Sequence, residues 1–234
     1  MKTFTIGKKK IVLKEEWMVG FITTWIVGLL AHAYRFFNFL PIWDSIYNFT
    51  GVGSTYTLGR WFLGYAGLIT SMFDLPWING AFSLFYISIV VILLTEMFEI
   101  KNKGMIVLCA AIFVSFPTVV SSFAYMYTAD AYLLAFLLAT LAVYLTWCVK
   151  KWGTIAGMVC LAFAMGIYQA YATVAIVLVL LYIIRQFVIE KLDFLEAVRK
   201  DLKYLGMLVG GAVLYAVILK ITLIRYNILS LIHI

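Results

Sequence analysis

The stretch WINGAFSLFYISIVVILLTEM, residues 77–97, decides the fold. It carries one charged residue, Glu96, near its end. Roughly 20 mostly apolar residues are needed for a helix to cross a bilayer, whereas a barrel strand needs only about 10. Backbone groups in lipid must be bonded within their own segment, so a run this long is a helix.

Six more stretches of the same kind surround it, at 17–34, 105–123, 131–149, 154–169, 171–187 and 204–224. The expected fold class is therefore all-α, a polytopic membrane protein of about seven transmembrane helices. The two short runs meet at Gly166-Ile-Tyr-Gln-Ala-Tyr171, which reads as a tight hairpin. Composition agrees: of 234 residues, 65% are apolar and 12% charged. A soluble domain has about 45–50% and 25%. A soluble enzyme and a disordered chain are both excluded.

The net charge of +7 is a topology signal. With the N-terminus cytoplasmic, the inner side holds Lys2, Lys8, Lys9, Lys10 and Lys14, then Lys101, Lys103, Lys150 and Lys151. Arg185, Lys191, Arg199, Lys200 and Lys203 follow on that side. Only Arg35, Arg60, Lys220 and Arg225 are left outside, a strong positive-inside bias. The cations suit anionic lipid headgroups, and no nucleic-acid partner is needed.

Two segments read as helices lying on the membrane. Residues 187–202 place Val188, Leu192, Leu195, Val198 and Leu202 on one face, an amphipathic cytoplasmic connector. Residues 60–73 space Arg60, Gly64, Gly67 and Ser71 helically and are too short to span, so they form an interfacial helix in the first outer loop. Ala31-His32-Ala33 resembles a signal-cleavage site, but the preceding run is long for a signal core and stays as an uncleaved first helix. Cys109, Cys148 and Cys160 sit in apolar runs with no metal or redox spacing. Residues 229–234, LSLIHI, match the read-through of a sequencing adapter. Residues 1–228 are then the N-terminal part of a longer protein, and His233 is meaningless.

Acids are scarce outside: Asp44, Asp74 and Asp130. Asp74 and Asp130 read as turn or N-cap residues of the following helices. Asp44 has Arg35 and Arg60, the aromatics Trp43, Tyr47, Phe49, Tyr56 and Trp61, and glycines at 51, 53 and 59 around it. Guanidiniums hold phosphate through charge-assisted bonds, and a carboxylate takes a proton from an attacking hydroxyl. The set suits a lipid-phosphate donor and a carbohydrate acceptor. Interfacial aromatics occur whatever the function, and a histidine placed like His32, at the outer end of the first helix, is more often a satisfied interfacial histidine than a ligand. Asn48-Phe49-Thr50 has the form of a glycosylation acceptor, a match common by chance.

His32-Ala-Tyr-Arg-Phe-Phe-Asn38, Leu40-Pro41 with Asp44, Gly59-Arg-Trp61, Leu75-Pro76, Phe116-Pro117 before Ala124-Tyr-Met126, and Tyr168-Gln169 follow one another in order. In that order the chain resembles the bacterial and phage type II membrane glucosyltransferases, the Gtr-type serotype-converting proteins and their Gram-positive relatives. The resemblance implies a GT-C-like enzyme of the bacterial inner membrane. Such an enzyme transfers a sugar, here glucose, from a polyprenyl-phosphate carrier to a surface polysaccharide or glycolipid acceptor at the outer face.

Carried onto this chain, the resemblance makes Asp44 the general base and Arg60 a phosphate contact, with Tyr168 and Gln169 lining the site. Arg35, Trp61 and His32 complete the expected substrate-binding set. Relatives often have two adjacent acids where this chain has Asp44-Ser45, which weakens any metal-binding role. No cofactor is implied with certainty, and a divalent metal stays open. A transporter or flippase of lipid-linked sugars, or a non-catalytic membrane subunit, are the alternatives. Neither mid-membrane charges nor internal repeats favour transport.

Overall fold

The computed structural model describes residues 2–6, 9–47, 55–191 and 193–226. The Asn48-Phe49-Thr50 triplet, the glycines at 51 and 53, and residues 229–234 with His233 lie outside these. The chain opens with an antiparallel hairpin of β1 (Lys2–Ile6) and β2 (Lys9–Leu13), Phe4 opposite Ile11. This hairpin lies in the basic N-terminal stretch, before the first apolar run. The rest of the described chain is helices and their connections, as an all-α reading expects.

The helix α1 (Glu15–Phe37) begins with two glutamates in its first turn, where the helix dipole favours them. It buries Gly20, Thr24, Gly28, His32 and Phe36, one residue per turn. The glycines in that stripe let α4 (Pro76–Met97) approach, and a Cβ at Gly28 would collide with Leu84. Pro76 opens α4 at a position where a missing N–H costs nothing. Asn102 caps α5 (Lys103–Ser115), accepting from the Met105 N–H at 3.1 Å.

The run expected at 105–123 is broken. Phe116 is extended and Pro117 starts a new short helix, α6 (Pro117–Ser122), followed by a 3-10 turn at Phe123–Tyr125. The chain then reverses into α7 (Met126–Cys148). Phe113 and Phe136 meet with ring centroids 5.3 Å apart, which one straight helix would hold about 35 Å apart. The pair α8 (Gly153–Ile167) and α9 (Ala172–Arg185) is joined at extended Tyr168 and a 3-10 turn, the expected hairpin.

Five helical stretches are long and apolar enough to cross a membrane: Glu15–Phe37, Pro76–Met97, Lys103–Cys148, Gln169–Glu190 and Arg199–Tyr226. Gly153–Ile167 is apolar but shorter. Outward-facing Leu30, Ile224 and Val213 are exposed, whereas Leu84, Ile87, Ile106 and Met126 are fully buried, the pattern of a bundle whose sides face lipid.

Two expectations change. Over 60–73 the helix is one turn, α3 (Leu63–Ala66), because Ser71 and Met72 adopt positive φ and wrap the chain back, Met72 N–H donating to the Gly67 carbonyl. The connector at 187–202 is not a separate helix. A π-turn (Gln186–Glu190) and left-handed Lys191 end α9, and α10 (Phe194–Tyr226) then runs unbroken through the last apolar stretch. No proline interrupts residues 194–226, and helix propagation is cheaper than a second nucleation.

Contacts fix the direction of each leg. Lys14 pairs with Glu96 while Phe36 packs on Gly80, so α1 and α4 are antiparallel. Lys103 pairs with Glu15 and His32 bonds Val114, so α5 runs parallel to α1. Met158 touches Gly210 and Gln169 touches Tyr215, so α8 and α10 are parallel. The loop residues 38–47 and 55–75 and the loops at 116–126 and 168–171 thereby gather at one end of the bundle.

Candidate functional site

That end carries a cleft of about 530 Å³. Asp44 enters it from α2 (Trp43–Tyr47), a single turn in which Ser45 is buried and its hydroxyl bonds the Ile42 backbone. Arg60 enters from the turn before α3, Tyr168 and Tyr171 from the α8–α9 junction, and Tyr127 and Tyr132 from α7. Thr118, Ser121 and Ser122 of α6 add a wall of hydroxyls. Ser45 occupies the position of the second acid expected in relatives, and its side chain closes its own turn.

Among the described residues, Arg60 has no counterion. Its guanidinium lies 4.5 Å from the centre of the Tyr168 ring, a cation–π contact, and donates at 3.4 Å to the Tyr132 hydroxyl. Its Nε is buried with no hydrogen-bond partner. Among the described residues, no carboxylate lies within ion-pair distance of it. Asp44 lines the same cleft and acts electrostatically on Tyr127. One carboxylate and one unpaired guanidinium therefore face a shared space walled by tyrosines and hydroxyls, a surface able to take an anion and a polyol together.

The other expected contacts lie elsewhere. Arg35 donates Nε to the Phe123 carbonyl at 2.8 Å and its terminal nitrogens to the carbonyls of Leu40 and Ala124. It ties α1 to the break after α6. His32 is buried, its Nε2 2.9 Å from the Val114 carbonyl and its ring 4.6 Å from Phe123. Trp61 is buried against Phe163 and Gly166, where a Cβ would strike its ring. Gln169 donates to the Leu58 carbonyl and the Tyr215 hydroxyl. None of these four lines the cleft.

Asp74 and Asp130 do not cap. The N-cap of α4 is Leu75, whose N–H donates to Asn79 Oδ1 at 2.9 Å. Asp130 lies inside α7, buried, accepting from Thr70 Oγ1 and Asn79 Nδ2 at 3.1 Å each. It anchors the end of the first long loop to α4 and α7. Tyr56 stacks on Tyr226 at 5.1 Å, and burial with the Tyr65 hydroxyl pushes its phenol up to about 12.

The sequence reading passed over Tyr127, Tyr132, Tyr171 and the hydroxyls at 118, 121 and 122. The available signal was local: Thr118, Ser121 and Ser122 interrupt an otherwise apolar run just past Pro117. Among the described residues, no group of three or more His, Cys, Asp or Glu stands close enough to hold a metal ion.

The family model for glucosyl transferase GtrII matches residues 33–230. Every cleft residue named above falls within that range, and His32 falls just before it. No curated protein and no solved structure matches the chain.

Proposed function

The chain belongs to the glucosyl transferase GtrII family, and we propose that it moves glucose from a polyprenyl-phosphate carrier to an envelope polysaccharide or glycolipid at the outer face of the bacterial cytoplasmic membrane. Family membership makes it a glycosyltransferase, and its long apolar helices make it a membrane protein. The carrier, the acceptor and the residue roles are the proposal.

The observation that carries it is Arg60, lining the cleft beside Asp44 with no carboxylate partner among the described residues. An unpaired arginine at headgroup depth suits a lipid-linked phosphate, and the hydroxyl and tyrosine walls suit sugar. In the proposed membrane arrangement, α1, α4, α5 with α6, α7, α8, α9 and α10 make seven crossings. The N-terminus is cytoplasmic and α3 lies in the outer interface. The concentration of Lys and Arg at the opposite end from the cleft supports this orientation.

The chemistry is one displacement at the anomeric carbon. Asp44 takes the proton of an acceptor hydroxyl as its oxygen bonds to C1. The bond from C1 to the phosphate oxygen breaks through an oxocarbenium-like transition state, the charge pattern of glycoside cleavage. Arg60 stabilises the negative charge developing on the departing polyprenyl phosphate. Attack opposite the leaving group inverts the anomeric configuration.

The test is transfer of radiolabelled glucose from polyprenyl-phosphate glucose in membranes holding the full-length protein. Asp44→Asn is expected to lower the rate about 10²- to 10⁴-fold, the contribution typical of a general base. Transfer at the wild-type rate would remove Asp44 from that role.

A further inference from the structure

We propose that Gln169 and Tyr215 are positioning residues that hold Arg60 at the place where a lipid-linked phosphate meets it. The inference rests on the reading of Arg60 as the phosphate contact. The two carbonyls immediately before Arg60 are both captured by side chains from distant parts of the chain. Gln169 Nε2 donates to the Leu58 carbonyl at 2.7 Å, and the Tyr215 hydroxyl donates to the Gly59 carbonyl at 3.1 Å. The same Gln169 amide donates to the Tyr215 oxygen at 2.9 Å, closing the three groups into one network.

The backbone around Arg60 needs such fastening. Gly59 has φ 74°, a left-handed turn that aims the next residue, and the Arg60 N–H closes that turn on the Thr55 carbonyl at 2.8 Å. Two residues later the Phe62 N–H bonds the Gly166 carbonyl at 2.8 Å. The segment from 58 to 62 is thus tied to the end of α8, the turn after it, and α10. Tyr168, directly before Gln169, supplies the ring beneath the guanidinium. One dipeptide therefore sets both the backbone and the side chain of Arg60. Tyr215 is 4% exposed and packs with Trp61 and Ala162, so its hydroxyl has a fixed address. Small displacements of a charge-stabilising group are costly because its benefit depends on geometry.

The experiment measures binding of two probes to full-length protein in nanodiscs: polyprenyl monophosphate and the uncharged polyprenol. Tyr215→Phe and Gln169→Leu are each expected to weaken polyprenyl monophosphate binding about 3- to 10-fold, the range of one or two lost hydrogen bonds. Polyprenol binding stays at the wild-type level, which a general loosening of the bundle would not allow. In Arg60→Ala, adding Tyr215→Phe produces no further loss, because the two act through one group.

Equal weakening of both probes by both variants overturns the inference, making Gln169 and Tyr215 mere scaffold. Wild-type phosphate binding in both variants, alongside a loss in Arg60→Ala, overturns the latch and leaves the Arg60 assignment standing. Undiminished phosphate binding in Arg60→Ala overturns that assignment itself, and the positioning role with it. Gln169→Leu sits at a turn outside the packed core and serves where Tyr215→Phe fails to fold.

Discussion

The two ends of the bundle treat positive charge differently. At the N-terminal end, Lys14 meets Glu96 at 2.6 Å, Lys103 meets Glu15 at 2.5 Å, Arg185 meets Glu99 and Glu190 at 3.0 Å, and Lys200 meets Glu190 at 3.2 Å. At the cleft end, no ion pair forms among the described residues. Arg35 is bonded to three carbonyls, and Asp74 acts on it only through space. Arg60 rests on tyrosines. Lys14, Lys103, Arg185 and Lys200 at the first end are neutralised locally. Arg35 and Arg60 at the second are held by neutral groups, with no carboxylate among the described residues in ion-pair contact. Arg35 has its donors satisfied and straps helices together, whereas Arg60 keeps a buried, unpartnered Nε and fronts the cleft.

The contrast breaks most visibly at Arg60. Arg60→Ala is expected to cut kcat/KM for polyprenyl-phosphate glucose about 10²- to 10³-fold, the scale of removing one group that stabilises a developing anion. A loss of similar size in Glu96→Gln would erase the distinction between the ends. Next comes Arg35→Met, which strips a charged donor from three carbonyls at once. Its expected cost is about 2–4 kcal/mol of stability, read by thermal unfolding in detergent, and clearly more than that of Arg60→Met. A smaller loss than Arg60→Met would deny Arg35 its strapping role.

Gly59→Ala sharpens the comparison further down the scale. Its left-handed φ charges an L-residue roughly 1–2 kcal/mol, and relief of that strain turns Arg60 away from Tyr168. Weaker polyprenyl monophosphate binding with unchanged polyprenol binding is the expected signature. Smallest is Glu96→Gln, at under about 1 kcal/mol in thermal unfolding, because the Lys14 partner is 41% exposed and solvent screens the pair. A cost above about 2 kcal/mol would mean that the charged end is structural after all.

How much was legible before the structure depended on how local each property is. The stretch at 77–97 lies within α4, and those at 17–34 and 204–224 lie within α1 and α10. The break inside 105–123 was written at Phe116-Pro117, but its consequence was not. The same proline ends an apolar run and starts α6, whose hydroxyls line the cleft together with Asp44. Residues 60–73 kept a helical spacing of small residues that long-range bonds overrode, since the Phe62 N–H goes to Gly166 instead of continuing a helix. His32 and Gln169 carry polar groups expected of a binding site, but buried polar atoms must first be bonded somewhere, and here the scaffold takes them.

By itself, the sequence determined the solvent, the helical class and the direction of charge. Each is a property of one segment: its length, its apolar content, and the cations at its ends. Only the tertiary structure decided which polar side chains share a space. Arg60, Tyr132 and Tyr168 come from separate elements, and their meeting depends on the reversals at 116–126 and 168–171. No spacing within a single segment encodes that meeting. It follows from which helix faces pack together, where glycines such as Gly28 and Gly166 admit close neighbours and larger residues would hold them apart.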